Sequence, residues 1–586
     1  MRYYPKLSEI PSKRQMIDVF RGYNHNLRIA EGEFYDMKNL TSNDYPVLSP
    51  RGTRGIFTTL SVPQGMVAKD TLCYADSGDF IINGERIPMG LTVDKDADGN
   101  IIPKNLISMG AYIIIMPDKR YINTSDISDH GSIEASHTTF STVSFTLCTL
   151  EGTDYGDVTV RDTAPSYPKN MDYWLDTSTT PNSLKQYSST TAMWVSIATT
   201  YIKISATGIG APFEVDDGVK ISGIEDASLA DLNNTMVIKA RGDNYIVVTG
   251  ILSKTVSQEA PVTVTRQMPN MDFVIESENR LWGCRYGEAL NGEMVNEIYA
   301  SKLGDFKKWN CFNGVSTDSY AVTVGTDGAF TGAITHLGYP LFFKEGCMHK
   351  IYGNYPANYQ VLTTACRGVQ KGCSRSLAIV NETVIYKSRA AVCAYDGSLP
   401  YEISAALGDV NYSHATAGVL GNKYYISMRD DAGKYNLFVY DVQRGMWHRE
   451  DDTHALAFCA CGGDLYYIDP TFNQIKTVRG TGELEKSPTE WEAVTGVIGT
   501  DSPDKKYISR LDVRMSLELG TRVYFYVQYN STGAWEPLYT MTGTTLQSFG
   551  VPIKPKRCDH LRLKIVGVGE AKIYSICKTI EQGSDI

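Results

Sequence analysis

The stretch GGDLYYID, Gly462 to Asp469, sets two turn glycines ahead of a short run of aliphatic and aromatic residues and closes on an acid. An apolar run this short, bounded by turn residues, has the length of a β-strand buried on both faces. The phrase recurs, loosely spelled, as DTLCYAD (70–76), GAYIIIM (110–116), NRLWGC (279–284), GYPLFFK (338–344), NETVIYK (381–387) and NKYYISM (422–428). Counted from the first strand residue of each, Leu72, Tyr112, Leu281, Leu341, Val384, Tyr424 and Leu465, the steps are 40, 169, 60, 43, 40 and 41 residues. Four of the six match a propeller blade, whose four short strands and turns use roughly 40 to 50 residues.

Further strands follow each phrase at hairpin distance: CMHKIYG after GYPLFFK, AAVCAYDG after NETVIYK, NLFVYDVQRGMW after NKYYISM. Gly, Asp and Asn supply the turns. A propeller explains the recurrence, because every blade buries both sheet faces against its neighbours and so needs the same apolar strand after the same turn. The expected fold is therefore all-β: a β-propeller of about seven blades with an inserted small β module and a C-terminal β-sandwich. The propeller is expected over 61–139 and 271–484. The 169-residue step is too long for one blade, so 140–270, rich in Ser and Thr, reads as the insertion. From 485 to 586 the phrase gives way to alternating strands such as LDVRMSLEL and HLRLKIVG, the pattern of a sandwich. Residues 1–60 form an arm or a strand that closes the ring.

The chain has 586 residues, a net charge of −10 and no long Lys/Arg run, which argues against general nucleic-acid coating. The N-terminus lacks the apolar core of a secretory signal, and no apolar run reaches bilayer length, so folding in cytosol with no membrane segment is expected. The 12 cysteines form no CxxC pair and fall in strand-like runs, as at Cys284, Cys393, Cys459 and Cys577, which reads as buried reduced thiols.

Four constellations bear on chemistry. In DKDADGN, Asp94, Asp96, Asp98 and Gly99 match the start of a calcium loop. The twelfth position is Asn105 rather than Glu, and Pro103 argues against flanking helices, so an acidic hairpin tip at Asp98-Gly99 is favoured. In WHREDDTH, His448, Glu450, Asp451, Asp452 and His454 could hold a divalent metal, but a solvated loop between blades is favoured. Asp396, Asp441 and Asp469 recur at strand ends as turn residues. Tyr173, Trp174, Tyr187 and Trp194 could stack a sugar ring, with a small hydrophobic core the favoured reading. SKLGDFKKW (301–309) only echoes the sialidase Asp-box, and no nucleotide, hydrolase-elbow or metalloprotease motif occurs. No catalytic, cofactor or metal residue is therefore assigned, and no enzyme is expected.

Several segments resemble a family of bacteriophage and prophage virion proteins common in Gram-positive gut bacteria. They are FRGYNHNLRIAEGEFYDMKNLTSNDYPVLSPRGTRG, NRLWGCRYG, NEIYASKLGDFKKWNCF, PLFFKEGCMHKIYG, YDGSLPYEIS and CDHLRLKIVGVGEAKIYSICKTIEQGSD. The overall pattern is similar to tail-hub or nozzle β-propeller proteins of short-tailed phages. That resemblance implies a structural protein of the virion tail, in a homo-oligomeric ring, expected to be a hexamer. The implied partners are the portal and adaptor, other tail proteins including fibres or spikes, and passing viral DNA bound without sequence specificity. A receptor- or glycan-binding tail-tip protein and a propeller glycan hydrolase are the alternatives. The 140–270 insertion and the C-terminal sandwich depart from the family pattern.

Overall fold

The computed structural model describes residues 12–582 apart from 98, 290–291, 487–488, 501–503 and 544. Among them, seven antiparallel sheets of the expected phrase succeed one another along the chain. Blade 1 is Pro63–Ala68, Leu72–Asp76, Asp79–Ile82 and Glu85–Pro88; blade 2 is Asn105–Met109, Tyr112–Met116, Arg120–Asn123 and His130–Ser132. Blade 3 opens at Phe273–Ser277, blade 4 at Gly332–His336, blade 5 at Ala378–Val380, blade 6 at Tyr412–Leu420 and blade 7 at Phe458–Cys461. These opening strands pack side by side around the ring, with the Ser374–Ser376 turn standing between blades 4 and 5. Blade 7 packs back on blade 1, so the propeller is closed.

The recurring apolar phrase is the second strand of every blade, and its alternation shows why it must be apolar on both faces. In blade 2, Ile113 and Ile115 join a core with Phe80 and Ile82 of blade 1, whereas Ile114 and Met116 join one with Val274 and Leu281 of blade 3. In blade 4, Phe342 faces Trp282 and Ile298 of blade 3, while the Phe343 ring lies 5.2 Å from Tyr386 of blade 5. Successive side chains of a strand point to opposite faces, so one run serves two interfaces. The 60-residue step arises in blade 3, where residues 301–319 form a long connection before Tyr320–Thr323. That connection contains SKLGDFKKW, with Trp309 buried and its indole N–H on the Phe306 carbonyl at 2.9 Å.

The insertion leaves after blade 2 and returns before blade 3. Two sheets share one core: Ala135–Thr138, Thr263–Arg266, Gly218–Ser222 and Thr235–Val237 in one, and Ala240–Gly242, Tyr245–Thr249, Tyr201–Ser205, Val143–Cys148 and Val256–Gln258 in the other. A third sheet, Val158–Arg161, Tyr173–Asp176, Ser183–Ser188 and Met193–Ser196, stands on this pair. Lys302 and Lys308 of blade 3 tie the insertion down through Asp216 at 2.5 Å and Glu214 at 3.3 Å.

The N-terminal segment takes part in four separate sheets, one of them its own two-stranded pair of Leu40–Thr41 with Ser49–Pro50. Ser12–Ile17 is the edge of one C-terminal sheet, beside Ala571–Gln582. Gly22–Tyr23 and Glu33–Lys38 extend blade 6 beyond its fourth strand, Met446–Asp451, and pair onward with Glu490–Thr495 of the C-terminal region. One ten-stranded sheet thus runs from the propeller into the sandwich, and the two share a core. Gly55–Thr59 is the fourth strand of blade 7, between Gln474–Thr477 and the short edge strand Glu483–Leu484.

All 12 cysteines are free thiols. Cys284 and Cys393 are buried as expected, while Cys459 and Cys577 are only half-buried, because each lies on a strand with one partly open face. No helix among the described residues is long and apolar enough to cross a membrane.

Candidate functional site

The ring closure is held by charge as well as by strand pairing. After Ser49–Pro50 the chain presents Arg51 and Arg54 to the acids of WHREDDTH. Arg54 is almost fully buried; its guanidinium lies 2.6 Å from Glu450 Oε2 and 2.8 Å from Asp451 Oδ2. It also donates to Thr453 Oγ1 at 2.7 Å and to the Tyr467 hydroxyl of blade 7 at 3.3 Å. Arg51 reaches Asp451 Oδ2 at 3.5 Å and donates to Asn39 Oδ1 at 2.8 Å. Burial would raise the Asp451 pKa, but Arg54 and Arg51 outweigh it and hold the group below the usual carboxylate range.

This corrects the solvated-loop reading of that stretch. Residues 446–451 are a strand with Trp447, His448 and Glu450 buried, because the N-terminal segment adds two strands beyond it. Asp452 pairs with Arg449 at 2.6 Å, and the His454 ring stacks on Tyr435 with centroids 3.7 Å apart. The carboxylates are committed to arginines, and no metal-holding group is found among the described residues.

Two buried imidazoles make a prediction. Burial, helped by Lys423, pushes the His448 pKa down to about 3; burial and Lys344 push His349 down to about 4. Both rings stay neutral in the folded chain while the unfolded chain binds protons below about 6.5. Their stabilisation is complete above that value and is lost as pH falls towards the folded values, at roughly 1.4 kcal/mol per pH unit for each ring. Denaturant midpoints should therefore drop between neutral pH and about pH 5, and His448→Gln should flatten that slope by about one proton. An unchanged slope in the variant would show that His448 does not carry the effect.

At the face where blades begin, the propeller axis is bridged. Arg375 precedes the innermost strand of blade 5, yet donates to the carbonyls of Pro103 and Lys104, which precede that of blade 2, across the ring. Burial lowers its pKa to about 10. The Lys104 ammonium is itself buried, 2.6 Å from Asp94 Oδ2 and 2.8 Å from Asp118 Oδ2. The calcium-like stretch is a hairpin in which Lys95 bridges Ile101 and Asp96 Oδ1 accepts from the Asn100 N–H at 2.8 Å. Gly99 takes φ +83° in its turn. Asn105 donates instead to the Val274 carbonyl at 2.7 Å, and Asp98 lies outside the described residues.

The seven innermost strands contain one carboxylate, Glu276, whose Oε1 accepts from the Asn279 N–H at 2.9 Å in the following turn. Glycoside hydrolysis needs two carboxyl groups flanking one bond. Asp396, Asp441 and Asp469 each cap a turn, accepting from the N–H of Ser398, Arg444 and Thr471 at 3.1, 3.1 and 3.0 Å.

In the third sheet of the insertion, Trp174 and Trp194 meet at 69° with centroids 5.5 Å apart, and Tyr187 meets Trp194 at 61°. Tyr173 packs apart from them, against Tyr155 at 4.8 Å. Trp174 is buried and donates to the Arg161 carbonyl at 3.0 Å. Tyr187 and Trp194 are half-buried, and rings set edge to face do not present one flat platform. Sequence reading missed Arg51, Arg54 and Arg375; PRGTRG was legible as a phrase, but its partners lie some 400 positions away.

No protein-family model matches the chain, and no curated protein matches it. Solved structures similar to it include an exo-β-1,3-galactanase from Phanerochaete chrysosporium, at 8% identity and TM-score 0.23, covering 52% of this chain and 94% of that one. Others are the extracellular domain of a two-component system from B. thetaiotaomicron (7%, TM-score 0.16, covering 93% and 98%) and Trypanosoma rangeli sialidase (9%, TM-score 0.17, covering 83% and 93%). At scores this low the likeness says nothing of activity, and the propeller assignment rests on the sheet topology.

Proposed function

We propose that this chain is a non-enzymatic structural component of a bacteriophage tail, a hub or nozzle subunit in a cyclic ring below the portal and adaptor, lining or closing the DNA exit channel. The observation that carries this reading is the use the fold makes of the phrase FRGYNHNLRIAEGEFYDMKNLTSNDYPVLSPRGTRG. Those residues pair the propeller to the sandwich and lock the last blade, giving one stiff body. A part that transmits load between neighbours in a ring gains from such stiffness. The lone carboxylate on the innermost strands and the bridged axis both weigh against catalysis in the channel. Net negative charge suits a wall past which DNA must slide, since each neutralised phosphate would add salt-dependent affinity.

Quantitative mass spectrometry of gradient-purified particles tests the reading against the major capsid protein. Copy numbers of about six or twelve, as cyclic symmetry at one vertex requires, are expected. Hundreds of copies would instead make it a capsid decoration, and absence from particles would overturn the virion assignment.

A further inference from the structure

Arg375 lies before an innermost strand; the Gly421-Asn422 turn lies after one, and so on the other face of the propeller. There, blades 6 and 7 and the N-terminal segment enclose a cavity of about 660 Å³. Its charges do not balance. Arg51 and Glu450 are spent within the ring-closing cluster. Lys423 Nζ donates only to neutral groups, Thr41 Oγ1 at 3.0 Å and Asn43 Oδ1 at 2.7 Å; burial holds its pKa below the ordinary lysine value, outweighing the opposing pull of Asp441 and Glu450. Arg479 donates to the Gly463 carbonyl at 3.1 Å, and Arg444 stacks 4.3 Å over the Tyr45 ring. None of these three cations has an ion pair among the described residues. The remaining lining carboxylate, Asp441, is occupied by the Ser42 hydroxyl at 2.5 Å and the Arg444 N–H at 3.1 Å. The lining thus keeps a surplus of positive charge on a chain of net charge −10. Tyr425, 5% exposed, lines the same cavity, and its hydroxyl has no hydrogen-bond partner among the described residues.

We propose that this cavity binds a phosphate-bearing small polar ligand of the sugar-phosphate class, with the phosphate between Lys423, Arg444 and Arg479. Two guanidinium forks and an ammonium match the geometry and charge of a phosphate. The cavity exceeds the volume of a phosphate alone, and the Tyr425 hydroxyl and neighbouring side-chain amides offer partners for hydroxyl groups on the carrier. Because Thr41, Asn43 and Arg51 belong to the N-terminal segment, occupancy would also stabilise ring closure, as any ligand bound only by the folded state does.

Isothermal titration calorimetry on the full chain, with inorganic phosphate, glucose 6-phosphate and glucose as probes, tests this. Both phosphates should bind saturably, the sugar phosphate more tightly, and glucose should not bind. The double variant Arg444→Gln/Arg479→Gln changes two exposed side chains that hold no ion pair, so its melting temperature without ligand should match the parent. Its affinity for both phosphates should fall about tenfold or more. Absence of saturable phosphate binding, unchanged affinity in the double variant, or glucose binding as tight as glucose 6-phosphate would each overturn the proposal.

Discussion

Deletion of residues 1–60 is expected to open the closed propeller. Gly55–Thr59 is the fourth strand of blade 7, and Gly22–Tyr23 with Glu33–Lys38 are the rungs between blade 6 and the sandwich. Their loss, with that of Ser12–Ile17, would uncover the fourth strand of blade 6, Glu490–Thr495, the third strand of blade 7 and Ala571–Gln582, four unpaired edges that recruit other chains. It would also strip Glu450 and Asp451 of both arginines. Size-exclusion chromatography should show the truncated chain as aggregates larger than whatever state the full chain adopts. Hydrogen exchange should show loss of protection first in Gln474–Thr477 and Met446–Asp451. A truncated chain that elutes without aggregation and melts with the parent would mean that the ring closes through blade 7 packing on blade 1 alone.

Replacement of Arg54 by methionine is the second large effect. Methionine keeps much of the buried volume but leaves Glu450, 4% exposed in its side chain, without its 2.6 Å partner and Asp451 without its shorter one. Breaking a buried pair from one side costs about 3–5 kcal/mol, because a charge remains in low dielectric without compensation. Chemical denaturation should report a loss of that size. The triple variant Arg54→Met/Glu450→Gln/Asp451→Asn should recover much of it, since no uncompensated charge then remains. A loss below about 1 kcal/mol for the single variant would mean that water reaches the acids and that the latch works mainly through strand pairing.

The blades were legible because their signal is local. A strand buried on both faces must be apolar at every position, so LYYI, YIIIM and VIYK stand out beside their turns, and all seven phrases found in the sequence are second strands of blades. The irregular steps were legible as lengths and needed the structure for their cause: the insertion between blades 2 and 3, and the long 301–319 connection within blade 3. The WHREDDTH stretch misled for one reason. A carboxylate reads as a ligand or as a solvated group until its counter-charge is known, and for Glu450 that partner is Arg54, 396 positions away.

The sequence by itself determined the all-β class, the blade period and the change of pattern beyond 485, since each follows from which faces of a short strand must leave water. Tertiary structure alone decided how the ring is closed, how the sandwich is joined to blade 6, and which charges are spent and which remain open to a ligand. Strand pairing and ion pairing between segments hundreds of residues apart leave no periodic trace in either segment. Arg51, Arg54, Lys423 and Arg479 look alike in the sequence, and their different neighbours make two of them fasteners and two of them candidate ligand contacts.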